Sequence, residues 1–171
     1  MTRLSHAFRR LLDGLAALAA LLLLAMVVLT TGDIVLRNLA GGGFAWANEV
    51  SEYALYLMTL LTAAWLLRRA QHVRLDLLLI VVPPRLAWLL ELAGDLVGLA
   101  VSLALTRYGF SMTHESLGLG AITIKNLVFP EWWLLAPLPI TFALITVEFV
   151  FRLHRLAGGE RGRRREATSV G

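Results

Sequence analysis

The sequence predicts an all-α integral membrane protein of four transmembrane helices, with both ends on the cytoplasmic side. Three observations carry that expectation. The apolar share is 58% and the mean hydropathy +0.71, beyond the roughly half that a water-soluble domain carries. The apolar residues collect into four blocks bounded by charge instead of recurring at amphipathic spacing. Thirteen of the 16 Lys and Arg residues lie on one side of those blocks, the asymmetry that orients membrane helices.

The first block, Gly14 to Gly32, carries no charge between Asp13 and Asp33. At about 1.5 Å of rise per residue it approaches the roughly 20 residues that cross a bilayer, so a helix over 14–36 is expected. Basic residues precede it as in a secretory signal. Its apolar run is longer than a signal core and no small-x-small cleavage pattern closes it, which makes it a retained anchor. The second block is uncharged only from Tyr53 to Leu67. It reaches full length, over 48–67, only with Glu49 and Glu52 in the entering turns, at or just inside the interface. The third helix, over 86–110, contains Glu91 and Asp95. The fourth, over 131–151, starts from Pro130-Glu131 and carries Pro137 and Pro139 deep enough to impose a bend. Residues 152–171 follow as a basic tail on a single membrane domain. Arg161 to Arg165, so close to a membrane helix, set topology and touch anionic phospholipid rather than nucleic acid.

Orientation follows from the individual charges. Arg3, Arg9 and Arg10 precede the first block, Arg68, Arg69, Arg74 and Arg85 lie between the second and third, and six arginines follow the fourth. The opposite side holds Arg37, Arg107 and Lys125. Trp46 and the Trp132-Trp133 pair then belong to the outer aromatic belt, and Trp65 and Trp88 to the inner one. Between Arg68 and Arg85 the chain alternates His72, Arg74 and Asp76 with apolar residues and then runs apolar to Pro83-Pro84. It is too short to cross. An amphipathic segment lying in the inner interface and a plain connecting loop with an apolar patch both fit. Thr113 to Pro130 reads as an outer surface loop, in which the sequence neighbours His114 and Glu115 share no helical face.

The residues for catalysis are missing. His6, His72, His114 and His154 all fall outside the apolar blocks, so no pair can clamp a haem between membrane helices. No metal-ligand spacing occurs, and Gly41 to Gly43 make a turn linker without a phosphate-binding context. With no cysteine there is no thiol chemistry. The expectation is a protein that is not an enzyme and needs no cofactor.

Acid inside the membrane is the unusual feature. Glu49 and Glu52 are three residues apart and Glu91 and Asp95 four apart, each pair on one helical face. Ionisable groups in a bilayer are costly and face protein or water. For Glu49 and Glu52 the expectation is hydrogen bonding to arginines such as Arg37 or Arg69, or a subunit contact. Asp95, ten residues past Arg85 and so about 15 Å along the axis, is the better candidate for buried contact with another helix or a partner.

Asp33 and Arg37 after the first helix, then Trp46, Glu49 and Glu52, then Arg68-Arg69, His72-Val73-Arg74-Leu75-Asp76 and a proline-ended segment together resemble the small, DctQ-type permease subunit of tripartite ATP-independent periplasmic (TRAP) transporters. The resemblance covers nearly the whole chain in architecture and is strongest from Arg37 to Leu77; Phe129-Pro130-Glu131-Trp132 stands where the family enters its fourth helix. It implies a bacterial inner-membrane subunit that pairs with a large permease carrying the substrate and sodium sites, supplied with an organic acid by a periplasmic binding protein. It also implies that the matching residues orient, pack and contact subunits. The competing expectation is a self-sufficient small homo-oligomeric transporter or channel in which Glu52 or Asp95 binds a cation. Small multidrug exporters of that kind are shorter and have little between helices two and three.

Overall fold

The structure, a computed structural model, describes residues 2–69 and 83–157. Its elements are α1 (Thr2–Ala40), α2 (Ala47–Arg69), α3 (Pro84–Leu119), the short strands β1 (Ile122–Ile124) and β2 (Val128–Pro130), α4 (Trp132–Leu135) and α5 (Pro137–Ala157). Among the described residues, four spans are long and apolar enough to cross a membrane: Ser5–Ala40, Ala47–Arg69, Leu86–Leu119 and Trp132–Ala157. At 39 and 36 residues, α1 and α3 are about 58 and 54 Å long, well over the roughly 30 Å of hydrocarbon. Both therefore continue beyond the apolar layer.

Backbone chemistry sets the helix ends. Gly41, at φ 71°, lets the chain leave α1 in the left-handed region. Pro84 opens α3 at a position where its missing N–H costs nothing. Gly120, at φ 61°, closes α3: its N–H donates to the Leu117 carbonyl and the N–H of Ala121 to that of Ser116, the paired bonds of a Schellman ending. The helical hydrogen-bond ladder is interrupted between α4 and α5, where Pro137 has no N–H to give, while Ala136 between them keeps helical angles, φ -58° and ψ -38°.

The helices stand in a row. α1 packs on α2, α2 on α5, and α5 on α3. The two edge helices accordingly bury one narrow seam each. On α1 the covered positions include Phe8, Leu12, Leu15, Ala19, Leu22, Met26, Leu29 and Asp33, alternating steps of three and four as in a coiled-coil seam, with Ser5, Ala16 and Thr30 partly covered beside them. On α3 they include Asp95, Ser102, Gly109 and Ser116. The rest of both edge helices is exposed and mostly apolar, with Leu21, Leu24, Val28, Val97, Val101 and Leu103 standing outward. Such faces suit lipid or another membrane subunit, not water.

Where residues 113–130 were expected to form a surface loop, α3 continues helically to Leu119, and an antiparallel hairpin follows with Ile122 opposite Pro130 and Ile124 opposite Val128. The physical reason is the β-branched run Ile122, Thr123 and Ile124, paired across a short turn with Pro130, Phe129 and Val128, residues of which all but the proline have high β-propensity.

Candidate functional site

Polar groups gather at the two ends of the row, with small residues between them. At the hairpin end, the Asp33 carboxylate is buried and holds the turn after α1 closed. It takes a hydrogen bond from Arg37 Nη2 at 2.9 Å and another from the Phe44 backbone N–H. Glu49, also buried, accepts from the Tyr53 hydroxyl at 2.8 Å and from the Leu127 N–H, in the hairpin turn, at 3.0 Å. Glu52 pairs with Lys125 at 3.2 Å on the exposed side, Lys125 also lies over the Tyr53 ring, and Asn126 Nδ2 donates to the Ala45 carbonyl. The first turns of α2 thus dock the turn 125–127. Phe129 packs edge-on to Tyr53 and beside Trp133, while Trp46 packs against Phe44.

A test of this docking is Glu49→Gln, which replaces one acceptor oxygen by an amide NH₂ facing a donor. We expect faster amide hydrogen exchange across residues 122–130, corresponding to a local loss of about 1–3 kcal/mol. Unchanged exchange there would show that Glu49 does not hold the hairpin.

At the other end, ion pairs tie the row together. Glu148 of α5 is fully buried and lies between Arg68 of α2, at 3.3 Å, and Arg155, at 3.1 Å. Arg68 also donates to the Ser5 carbonyl of α1 and sits over the Phe8 ring, itself packed on Phe151. Asp95 of α3, 3% exposed, accepts from Arg152 Nε of α5 at 2.9 Å. A short stretch of α5 therefore carries Glu148, Arg152 and Arg155, linked to all three other spanning helices directly or through Arg68. Trp65 Nε1 donates to Asp13 at 3.1 Å, and Arg69 stacks over the Trp65 ring at 4.3 Å.

Between these ends, α3 and α5 approach closely through small residues. The Phe149 ring fills the notch at Gly98, where an added Cβ would come within 2.2 Å of Cζ. At Gly109 the Cβ would meet Leu138 at 2.6 Å and Pro139 at 3.1 Å. Ser102 and Thr146 are joined by a 3.0 Å hydrogen bond across the interface. Close backbone approach through small residues, with hydroxyl bonds, is the usual way helices associate in lipid.

The arginine partners expected for Glu49 and Glu52 are corrected by these contacts. Arg37 is taken by Asp33 on its own helix, Arg69 stacks on Trp65, and the two glutamates instead hold the hairpin. Asp95 faces α5 of the same chain, and Glu91, one turn away, is half-buried. His72, Arg74 and Asp76, with the proposed interfacial segment, lie outside the described residues, as do Arg161 to Arg165. Glu148 is a residue of this site that the sequence analysis did not single out. The signal was available, since it is a carboxylate four and seven residues before Arg152 and Arg155 on an otherwise apolar helix.

The arrangement has the attributes of a multi-pass membrane component cross-linked at both ends, with the buried carboxylates of Asp33, Glu49 and Glu148 held by arginines or hydrogen-bond donors and Asp95 held through Oδ1, its buried Oδ2 having no hydrogen-bond partner among the described residues. Residues 26–159 match the family of tripartite ATP-independent periplasmic transporters, DctQ component. The chain belongs to this family, the small permease component of TRAP transporters. Among curated proteins no relative matches. Membership makes the chain a transporter component of the bacterial inner membrane rather than a member of an enzyme family. A tripartite system implies a large permease and a periplasmic binding protein as its companions.

Proposed function

We propose that this chain is the scaffolding subunit for the large TRAP permease in sodium-coupled uptake of an organic acid, delivered by the periplasmic binding protein. The observation that carries the reading, beyond family membership, is the row of helices: each edge helix packs mainly on one neighbour, while ionic contacts at one end and a docked hairpin at the other stiffen the whole. A stiff element with wide apolar sides suits a stationary support beside a moving transport domain. Arg37, Trp46, Glu49, Glu52, Arg68, Arg69, Glu91 and Asp95 serve orientation and packing here, and His72, Arg74 and Asp76 subunit or interface contact. Phospholipid surrounds the single membrane domain, and nucleic acid plays no part.

Self-sufficient transport is disfavoured by a specific feature. A cation-binding carboxylate must be offered to the ion, yet Asp95 is engaged through Oδ1 by Arg152 and Glu52 is paired with Lys125 on the exposed side. Reconstitution in liposomes under a sodium gradient decides between the two. We expect uptake of organic acid only when the large permease and binding protein are both added. Uptake by the small chain alone would overturn the scaffold reading and support the competing one.

Topology gives a second test. The charge asymmetry supports both termini in the cytoplasm. Reporter fusions at Gly42 and Gly120 should be active in the periplasm, and a fusion at Gly159 in the cytoplasm. A periplasmic signal from Gly159 would overturn the four-span orientation.

A further inference from the structure

The Asp13–Trp65 contact fixes the register of α1 against α2 at the ionic end, and the consequences reach beyond those two residues. Asp33 reaches Phe44 at the opposite end, so the two helices run antiparallel. One turn outward from Asp13 is Arg9, and one turn outward from Trp65 is Arg69. The i,i+4 relation puts each on the same helical face as the contact residue beneath it. Arg10, three residues before Asp13, flanks them. All three arginines are exposed, and none has an acidic partner among the described residues. Arg69 is held in place by its stack on Trp65.

Depth is set by the same contact. The charge-free stretch of α1 begins at Gly14 and that of α2 ends at Leu67, so Asp13 and Trp65 sit beside the edge of the hydrocarbon. Arg9 and Arg69 then lie about 6 Å further out, at the level of lipid phosphates. Trp65, half-buried between the helices, is the residue type that settles at this boundary. The neighbouring charge is not all favourable: the Asp13 carboxylate opposes an anion, but its Oδ1 accepts from the indole, and three guanidiniums outweigh it.

The geometry points to a binding site for the phosphate of an anionic glycerophospholipid headgroup, built by Arg9, Arg10 and Arg69 around Trp65 at the α1–α2 groove. Guanidiniums donate in a planar fork that matches phosphate oxygens, and the acyl chains would lie along the exposed leucines of α1. This site rests on the reading of the chain as membrane-embedded, and the test separates the two.

The full chain and the double variant Arg9→Gln/Arg69→Gln, purified in neutral detergent, would be titrated with short-chain phosphatidylglycerol, phosphatidylcholine, sn-glycerol 3-phosphate or inorganic phosphate, and bound adducts counted by native mass spectrometry. We expect the parent to favour phosphatidylglycerol over phosphatidylcholine, and the double variant to lose about tenfold of that preference. Arg107→Gln, which removes an exposed arginine elsewhere on α3, should leave the preference intact. Equal retention of phosphatidylglycerol by parent and double variant would overturn the site, as would an equal loss in Arg107→Gln, which would mean bulk charge alone. Displacement of the lipid by inorganic phosphate or glycerol phosphate at equal concentration would assign the site to a free anion and overturn the lipid. Failure of the parent to fractionate with membranes would instead overturn the membrane reading beneath it.

Discussion

Glu148→Gln is expected to lower the thermal midpoint of the purified chain in detergent by about 10 °C, the equivalent of roughly 3 kcal/mol for a chain of this size. Glu148 has no exposed surface and is shared between Arg68 and Arg155. Arg155 is 42% exposed on its side chain and can turn to water once its partner is gone; Arg68, at 20%, is held by the Ser5 carbonyl and the Phe8 ring and has less freedom. An uncompensated guanidinium in a poorly solvated place carries most of the cost. A second variant separates charge from shape. With Arg68→Met added to Glu148→Leu, both halves of the pair become apolar, and much of the lost stability should return, because replacing a buried pair whole is often close to neutral. If the single variant melts like the parent, the ionic end does not hold the row together.

How far the sequence could reveal this arrangement depended on the kind of signal. Helix number and the polarity of the ends were legible because a bilayer demands long apolar runs, and charge can only gather at their ends. The interior of the row was not. Apart from Met26, α1 is leucine, alanine and valine on every side between Gly14 and Leu29, so little in its composition distinguishes the seam of Leu15, Ala19 and Leu22 from the faces that stay uncovered. In lipid, unlike water, burial does not sort apolar residues by face.

The site followed the same division. Glu49 and Glu52 stood out as acids in an entering turn, but their partners are a backbone N–H at Leu127 and a lysine at 125, more than 70 residues away. Non-local backbone donors leave no trace in local pattern. The hairpin escaped for a milder reason. Lys125-Asn126-Leu127 is not one of the glycine-bearing turns that announce a hairpin, although the β-branched residues before it and Val128 after it were there to be read.

Gly98→Leu is expected to separate α3 from α5 and to lose association of the chain with its large permease in co-purification, along with solute uptake by the assembled system. Even a methyl at this position would lie 2.2 to 2.9 Å from three atoms of the Phe149 ring, distances at which something must move. The ring cannot simply settle deeper, since its tip already occupies the notch, and it sits beneath Arg152, the partner of Asp95. Swinging Phe149 outward therefore disturbs the ion pair one turn away as well as the packing. Overpacking of this kind costs about 1–3 kcal/mol, and loss of the Asp95–Arg152 geometry adds to it. Phe149→Ala in the same chain opens the space that the introduced side chain needs, so the double variant should recover stability and assembly that Gly98→Leu alone loses. Rescue would identify the close α3–α5 contact as the feature on which the row depends. A Gly98→Leu chain that melts and assembles like the parent would mean that this contact is dispensable, and that α3 is held to α5 by its polar contacts at Asp95 and Ser102 alone.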